Sequence, residues 1–67
     1  MLKWYERKIG CNDAWWTQRN SKGVCYEIVR IWPAEEFILY VCEIKEGVFG
    51  TLQEAINKAD AMEGEAV

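Results

Sequence analysis

Four of the 67 residues are tryptophan, and all four fall within the first 32 positions: Trp4, Trp15, Trp16 and Trp32. An indole buries on the order of 200 Å² when it leaves water. A chain this short builds one core, worth only about 3–5 kcal/mol of net stability. Such a core cannot enclose four indoles together with the other apolar residues. At least one ring is therefore expected to face outward, where tryptophan is among the residue types most enriched at binding hot spots.

Charge divides the chain in the same way. Residues 1–34 carry Lys3, Arg7, Lys8, Arg19, Lys22 and Arg30 against Glu6, Asp13 and Glu27, a net of +3. Residues 35–67 carry eight acids and two lysines, a net of −6. The overall charge of −3 argues against sequence-independent adhesion to nucleic acid, which draws on cations that release phosphate counterions. A local basic patch on the first half stays open.

The cysteines Cys11, Cys25 and Cys42 are odd in number and widely spaced, with no C-x-x-C pair and no histidine. Structural zinc needs four thiolate or imidazole ligands, so no metal and no cofactor is expected. Residues 1–10 mix charges with aromatics and lack a signal-type apolar run, which points to reduced thiols in a cytoplasmic protein. The longest apolar run, Phe37 to Cys42, has strand length and falls far short of the roughly 20 residues needed to span a bilayer. A soluble protein with no membrane partner is expected.

The pattern of residues predicts one domain over 1–67. Residues 1–14 read as an extended arm or first strand, with a turn-rich interruption at Gly10, Asn12 and Asp13. Trp15 to Arg19 is a short aromatic and β-branched run. Asn20-Ser21-Lys22-Gly23 then suits a hairpin loop. Val24 to Trp32 is rich in strand formers, with Cys25, Glu27, Val29 and Ile31 on one face and Val24, Tyr26, Ile28, Arg30 and Trp32 on the other. Pro33 offers no amide to a ladder and ends this strand, leaving Pro33 to Glu36 as a turn. Phe37 to Ile44 reads as the next strand, closed by Lys45-Glu46-Gly47.

Thr51-Leu52-Gln53-Glu54 matches a helix capping box. Leu52, Ala55, Ile56, Ala59 and Met62 follow at helical spacing, and Gly64 is placed to end a helix over 51–63. The expected fold is α+β: a three-stranded antiparallel sheet over residues 15–44, four-stranded if residues 1–14 join it, with one C-terminal helix on one face.

No catalytic constellation is present. Without histidine there is no imidazole to activate a nucleophile. Glu35 and Glu36 are adjacent on a turn, not enclosed as a general acid requires, and the five glycines are scattered singly. The chain is not expected to be an enzyme. Trp15 and Trp16 must point to opposite faces of a strand, so one is left on the open face or an edge. Trp15, Trp16 and Trp32 with Arg19, Lys22 and Arg30 form the candidate binding set, a mixed aromatic and cationic patch. The acids of the second half read as a solvated helix face rather than a mimic of nucleic-acid phosphates.

The run from Tyr26 through Phe37, Tyr40 and Phe49 to Thr51-Leu52-Gln53-Glu54-Ala55 resembles the β-β-β-α layout of small phage and mobile-element proteins. It is similar in layout to the arm-binding domain of tyrosine recombinases and to plant ethylene-response DNA-binding domains. It also looks like some compact anti-CRISPR proteins. The likeness covers residues 15–62. The DNA-binding families imply a strongly basic sheet, whereas Glu27, Glu35, Glu36 and Glu43 interrupt this one. The resemblance therefore implies a protein-binding inhibitor or accessory factor that occludes a partner. A nucleic-acid-binding sheet and a self-associating dimer are the alternatives.

Overall fold

The computed structural model describes residues 2–10, 12–33 and 35–65. The expectations for Cys11, Ala34 and the tail residues Ala66 and Val67 lie outside the described residues. Five strands follow one another: β1 (Tyr5–Ile9), β2 (Asn12–Trp16), β3 (Tyr26–Ile31), β4 (Glu36–Val41) and β5 (Ile44–Phe49). A single helix, α1 (Leu52–Glu65), closes the chain. The sheet is a meander in chain order with every neighbouring pair antiparallel.

The α+β class with one C-terminal helix stands, but the sheet has five strands where three or four were expected. Two hairpins account for the difference. One turns at Gly10, which has a φ of 61°, so Asn12 and Asp13 pair within β2 rather than interrupting the chain. The other divides the expected strand Phe37–Ile44 at Cys42 and Glu43, with φ of 51° and 71°. Both dihedrals are left-handed, as a tight two-residue hairpin requires, and Lys45 to Gly47 continue β5 rather than closing a strand. Trp15 and Trp16 end β2. Thr17 lies beyond the strand, yet its amide donates to the Tyr26 carbonyl at 2.9 Å, and its hydroxyl accepts from the Tyr26 amide at 3.0 Å.

Asn20 organises the loop between β2 and β3. Its side-chain oxygen accepts from the amides of Lys22 and Val24 at 2.8 and 3.0 Å, and its own amide donates to the Val24 carbonyl. An asparagine that satisfies neighbouring amides in this way holds a turn where no ladder can. Gly23 takes a φ of 79°, the conformation that glycine supplies most cheaply.

Helix α1 begins as its cap signal specifies, with the Glu54 amide donating to the Thr51 hydroxyl at 3.1 Å. It runs through Gly64 instead of stopping there. Its apolar stripe lies on β3, β4 and β5. The buried centre comprises Tyr26, Ile28, Leu39, Ala55 and Ala59. Trp4, Trp15, Leu2, Phe37 and Phe49 pack around it. The Leu2 amide donates to the Asp60 carboxylate at 3.2 Å, which ties the N-terminal segment to the helix. No helix of the described residues is long and apolar enough to cross a membrane.

Ala55 and Ala59 are fully buried, so at these two positions the helix offers only methyl groups to the core side chains of the sheet. Ala59→Leu forces extra volume into that contact and should lower the unfolding free energy by about 1–3 kcal/mol. Lys58→Leu, on the exposed side, should change it by less than about 0.5 kcal/mol. Urea denaturation followed by circular dichroism reads both.

Candidate functional site

Strand alternation sends Trp15, Ile28 and Leu39 toward the helix, and Trp16, Glu27 and Tyr40 toward the opposite face. No element of the described chain covers that second face, since α1 packs on the other side. Cross-strand register arranges it in rows. Tyr5, Trp16, Glu27, Tyr40 and Lys45 face one another in succession across all five strands. Arg7, Ala14, Val29, Ile38 and Val48 form the adjacent row. The first row mixes three aromatic with two charged groups; the second is aliphatic beyond its arginine.

Neighbouring side chains hold these rows in place. Tyr5 and Trp16 stack with ring centroids 4.9 Å apart and planes 28° apart, an arrangement worth about 0.5–1.5 kcal/mol beyond the area it buries. Arg7 donates through Nη2 to Glu27 Oε2 at 2.9 Å. Both partners are substantially exposed, so the pair fixes geometry more than it adds stability. Ala14 is fully buried in its row, while Val48 is 46% exposed and Ile31, at the end of β3, is 37% exposed.

Where the β3–β4 pair ends, the face opens into a cavity of about 250 Å³ bounded by Arg7, Trp16, Thr17, Cys25, Tyr26, Glu27, Tyr40, Cys42 and Glu43. Cys25 and Cys42 are free thiols at opposed positions, the Cys42 amide donating to the Cys25 carbonyl at 3.0 Å. Among the described residues, no group of three or more cysteine, aspartate or glutamate side chains is arranged to hold a metal ion.

The six residues singled out in the sequence are not gathered into one patch. Trp15 turns toward the core, its ring centroid 5.9 Å from that of Phe37, while Trp16 lies on the open face. Arg19 and Lys22 sit in the β2–β3 loop, where Arg19 donates to the Gly23 carbonyl at 2.7 Å. Arg30 and Trp32 lie at the far end of β3. Seven residues of extended chain from Gly23 to Arg30 span roughly 23 Å at 3.3 Å each.

Arg30 is opposite Asp13 in the register, and its guanidinium nitrogens are 3.8 Å from the Asp13 and Glu35 carboxylates. It also lies 5.2 Å from the centroid of Trp32, the indole that is 57% exposed. These contacts keep it among acids rather than on the open face. The groups that do share that face with Trp16 are Arg7, Glu27, Tyr40 and the aliphatic row. Alternation along β3 already placed Glu27 and Val29 together; their cross-strand neighbours required the register.

At the base of the β2–β3 loop, Asn20 Nδ2 donates to Glu63 Oε1 at 2.7 Å and so joins the loop to the helix. Tyr26 is buried beside this link. Burial, with the nearby Glu63 carboxylate adding to it, pushes its phenol from 10.0 up to about 12. The folded state therefore holds this proton more tightly than the unfolded chain does. Stability is level below pH 10 and falls as pH rises from 10 toward 12. Ultraviolet titration of tyrosinate should show one late-ionising phenol, and Tyr26→Phe should remove that step and flatten the alkaline loss of stability.

No protein-family model, curated protein or solved structure matches this chain. The functional reading stands on the geometry of the sheet.

Proposed function

We propose that this chain is a protein-binding module whose docking surface is the sheet face opposite the helix. It acts as an inhibitor or accessory factor that occludes its partner, in the manner of compact phage anti-CRISPR proteins, and performs no catalysis. The observation that carries the reading is the aliphatic row Val29, Ile38 and Val48, in register across three strands on the face without a helix and opening to solvent at Val48. A contiguous apolar strip rimmed by charged groups is what an interface core and its rim look like. Ile31 extends the apolar surface at one end, and Trp16 with Tyr40 supplies aromatic anchors at the other.

The nucleic-acid reading draws less support. Single-strand binding needs a cationic groove that follows the backbone beside stacking rings. Here Arg7 is engaged by Glu27, Arg30 lies among acids, and Arg19 and Lys22 belong to a loop at the other end of β3.

Val48→Lys and Ile31→Lys place charge in the apolar strip at exposed positions, where the fold tolerates it. The double variant should weaken capture of a partner by about tenfold or more, the scale of a hot-spot loss. Lys58→Ala on the outer helix should leave capture unchanged. Affinity capture from a bacterial lysate, then titration of the recovered partner, measures both. Capture that persists in the double variant overturns the reading. Low-salt gel shifts at micromolar protein would favour the nucleic-acid alternative. A sedimenting dimer dissolved by Val48→Lys would favour self-association.

A further inference from the structure

The cavity at the end of the β3–β4 pair has a composition that the docking strip does not explain. Its volume of about 250 Å³ equals roughly eight water molecules at about 30 Å³ each. That lies below the roughly 300–1,000 Å³ of sites for drug-sized ligands, yet it is ample for the head of one long side chain. The rings of Trp16 and Tyr40 flank Glu27, which lies between them in the register, and Glu43 stands at the rim. Arg7 offsets one of the two carboxylates through its 2.9 Å bond to Glu27. One negative charge is left beside two electron-rich ring faces.

We propose that this cavity is a receptor for a guanidinium group, namely an arginine side chain presented by a protein partner. Aromatic faces attract cations through the ring quadrupole, and a planar guanidinium both stacks on rings and forks onto carboxylates. An ammonium ion lacks that plane. The cavity already holds one guanidinium, that of Arg7, on the Glu27 carboxylate. An incoming arginine is held by Glu43 and the two rings, and competes with Arg7 for Glu27. The inference rests on the docking reading only in choosing a protein side chain over a free small molecule.

The probe is Nα-acetyl-arginine methylamide, titrated into the ¹⁵N-labelled protein at low ionic strength. Saturable shifts are expected at the Trp16 indole N–H and at the amides of Tyr40, Cys42 and Glu43. The uncharged citrulline analogue should bind about fivefold more weakly or worse, the scale of losing one cation–π contact. The lysine analogue should fall between them. Glu43→Gln and Tyr40→Leu should each weaken arginine by about threefold to fivefold. Arg7→Gln, which frees Glu27, should tighten it by a similar factor.

Equal shifts with citrulline, or shifts scattered away from the cavity, would overturn the proposal. So would weaker arginine binding in Arg7→Gln, which would show that Arg7 does not compete for Glu27, or preferential binding of the glutamate analogue, which would make Arg7 the receptor for an anion. Because the probe is a single blocked residue, its result is independent of whether the apolar strip captures a protein. Loss of strip binding in Val48→Lys with arginine binding intact would separate the two readings.

Discussion

One helix cannot cover a five-stranded sheet, and most features of this structure follow from that mismatch. Strands lie about 4.8 Å apart, so five of them span roughly 19 Å across their axes. A helix with its side chains is about 10 Å wide and shields two or three strands. Helix α1 packs on β3, β4 and β5 accordingly. On β1 and β2 the same face needs another cover. Trp4 and Trp15 supply it, packed against the core together with Leu2. The N-terminal segment is fastened to the helix through the Leu2 amide and Asp60. Bulky indoles in the first half do what a second helix does in larger two-layer domains.

The same mismatch leaves the opposite face without any layer at all. There the sheet protects itself with cross-strand pairs: the Tyr5–Trp16 stack and the Arg7–Glu27 bond shield the rows beneath them. Ala14 is fully buried. The protection thins toward β5, where Val48 stands well exposed. Across this face the half-buried rows give way to exposed apolar surface at Val48. The four indoles thus divide among distinct tasks. Two complete the core, one shields the open face, and Trp32 remains outward with Arg30 over its ring.

Much of the helix layer was legible because its signals are local. Thr51 caps the helix as its spacing to Glu54 demands, and the alternation from Tyr26 to Ile31 gave both faces of β3. Pro33 marked the end of that strand. The hairpins were harder, for a physical reason. A two-residue hairpin usually announces itself with Asn-Gly or Asp-Gly, residues that accept positive φ. Cys42 and Glu43 adopt that conformation without resembling it, so Phe37 to Ile44 read as one strand and Lys45 to Gly47 as the turn that closes it. At the first hairpin, Asn12 and Asp13 carry turn propensity yet pair with Ile9 and Lys8, an instance of tertiary pairing overriding a local preference. Gly64 costs the helix about 1 kcal/mol relative to alanine, and the packing of Ala59 and Met62 against the core carries the helix past it. The candidate patch dispersed because it was chosen by residue type along the chain. Only the register decides which strands bring those residues together.

The turn at Cys42 and Glu43 is where local cost and surface chemistry meet. A side chain in the left-handed region costs about 1 kcal/mol or more, and this turn holds two in succession where glycine would relieve both. Glycine would also strip the cavity rim of the Glu43 carboxylate and the Cys42 thiol. The conformation is stabilised by its surroundings: the Cys42 amide donates to the Cys25 carbonyl, extending the β3–β4 ladder to its last rung. Directly inside that rung lie Tyr26 and Val41, and Tyr26, buried in the core, also lines the cavity that the turn bounds. A backbone strained at that place, and held there by a packed core, presents its side chains in a fixed geometry. Fixed geometry is what a small receptor site needs, because each degree of freedom frozen before binding is one that binding need not freeze.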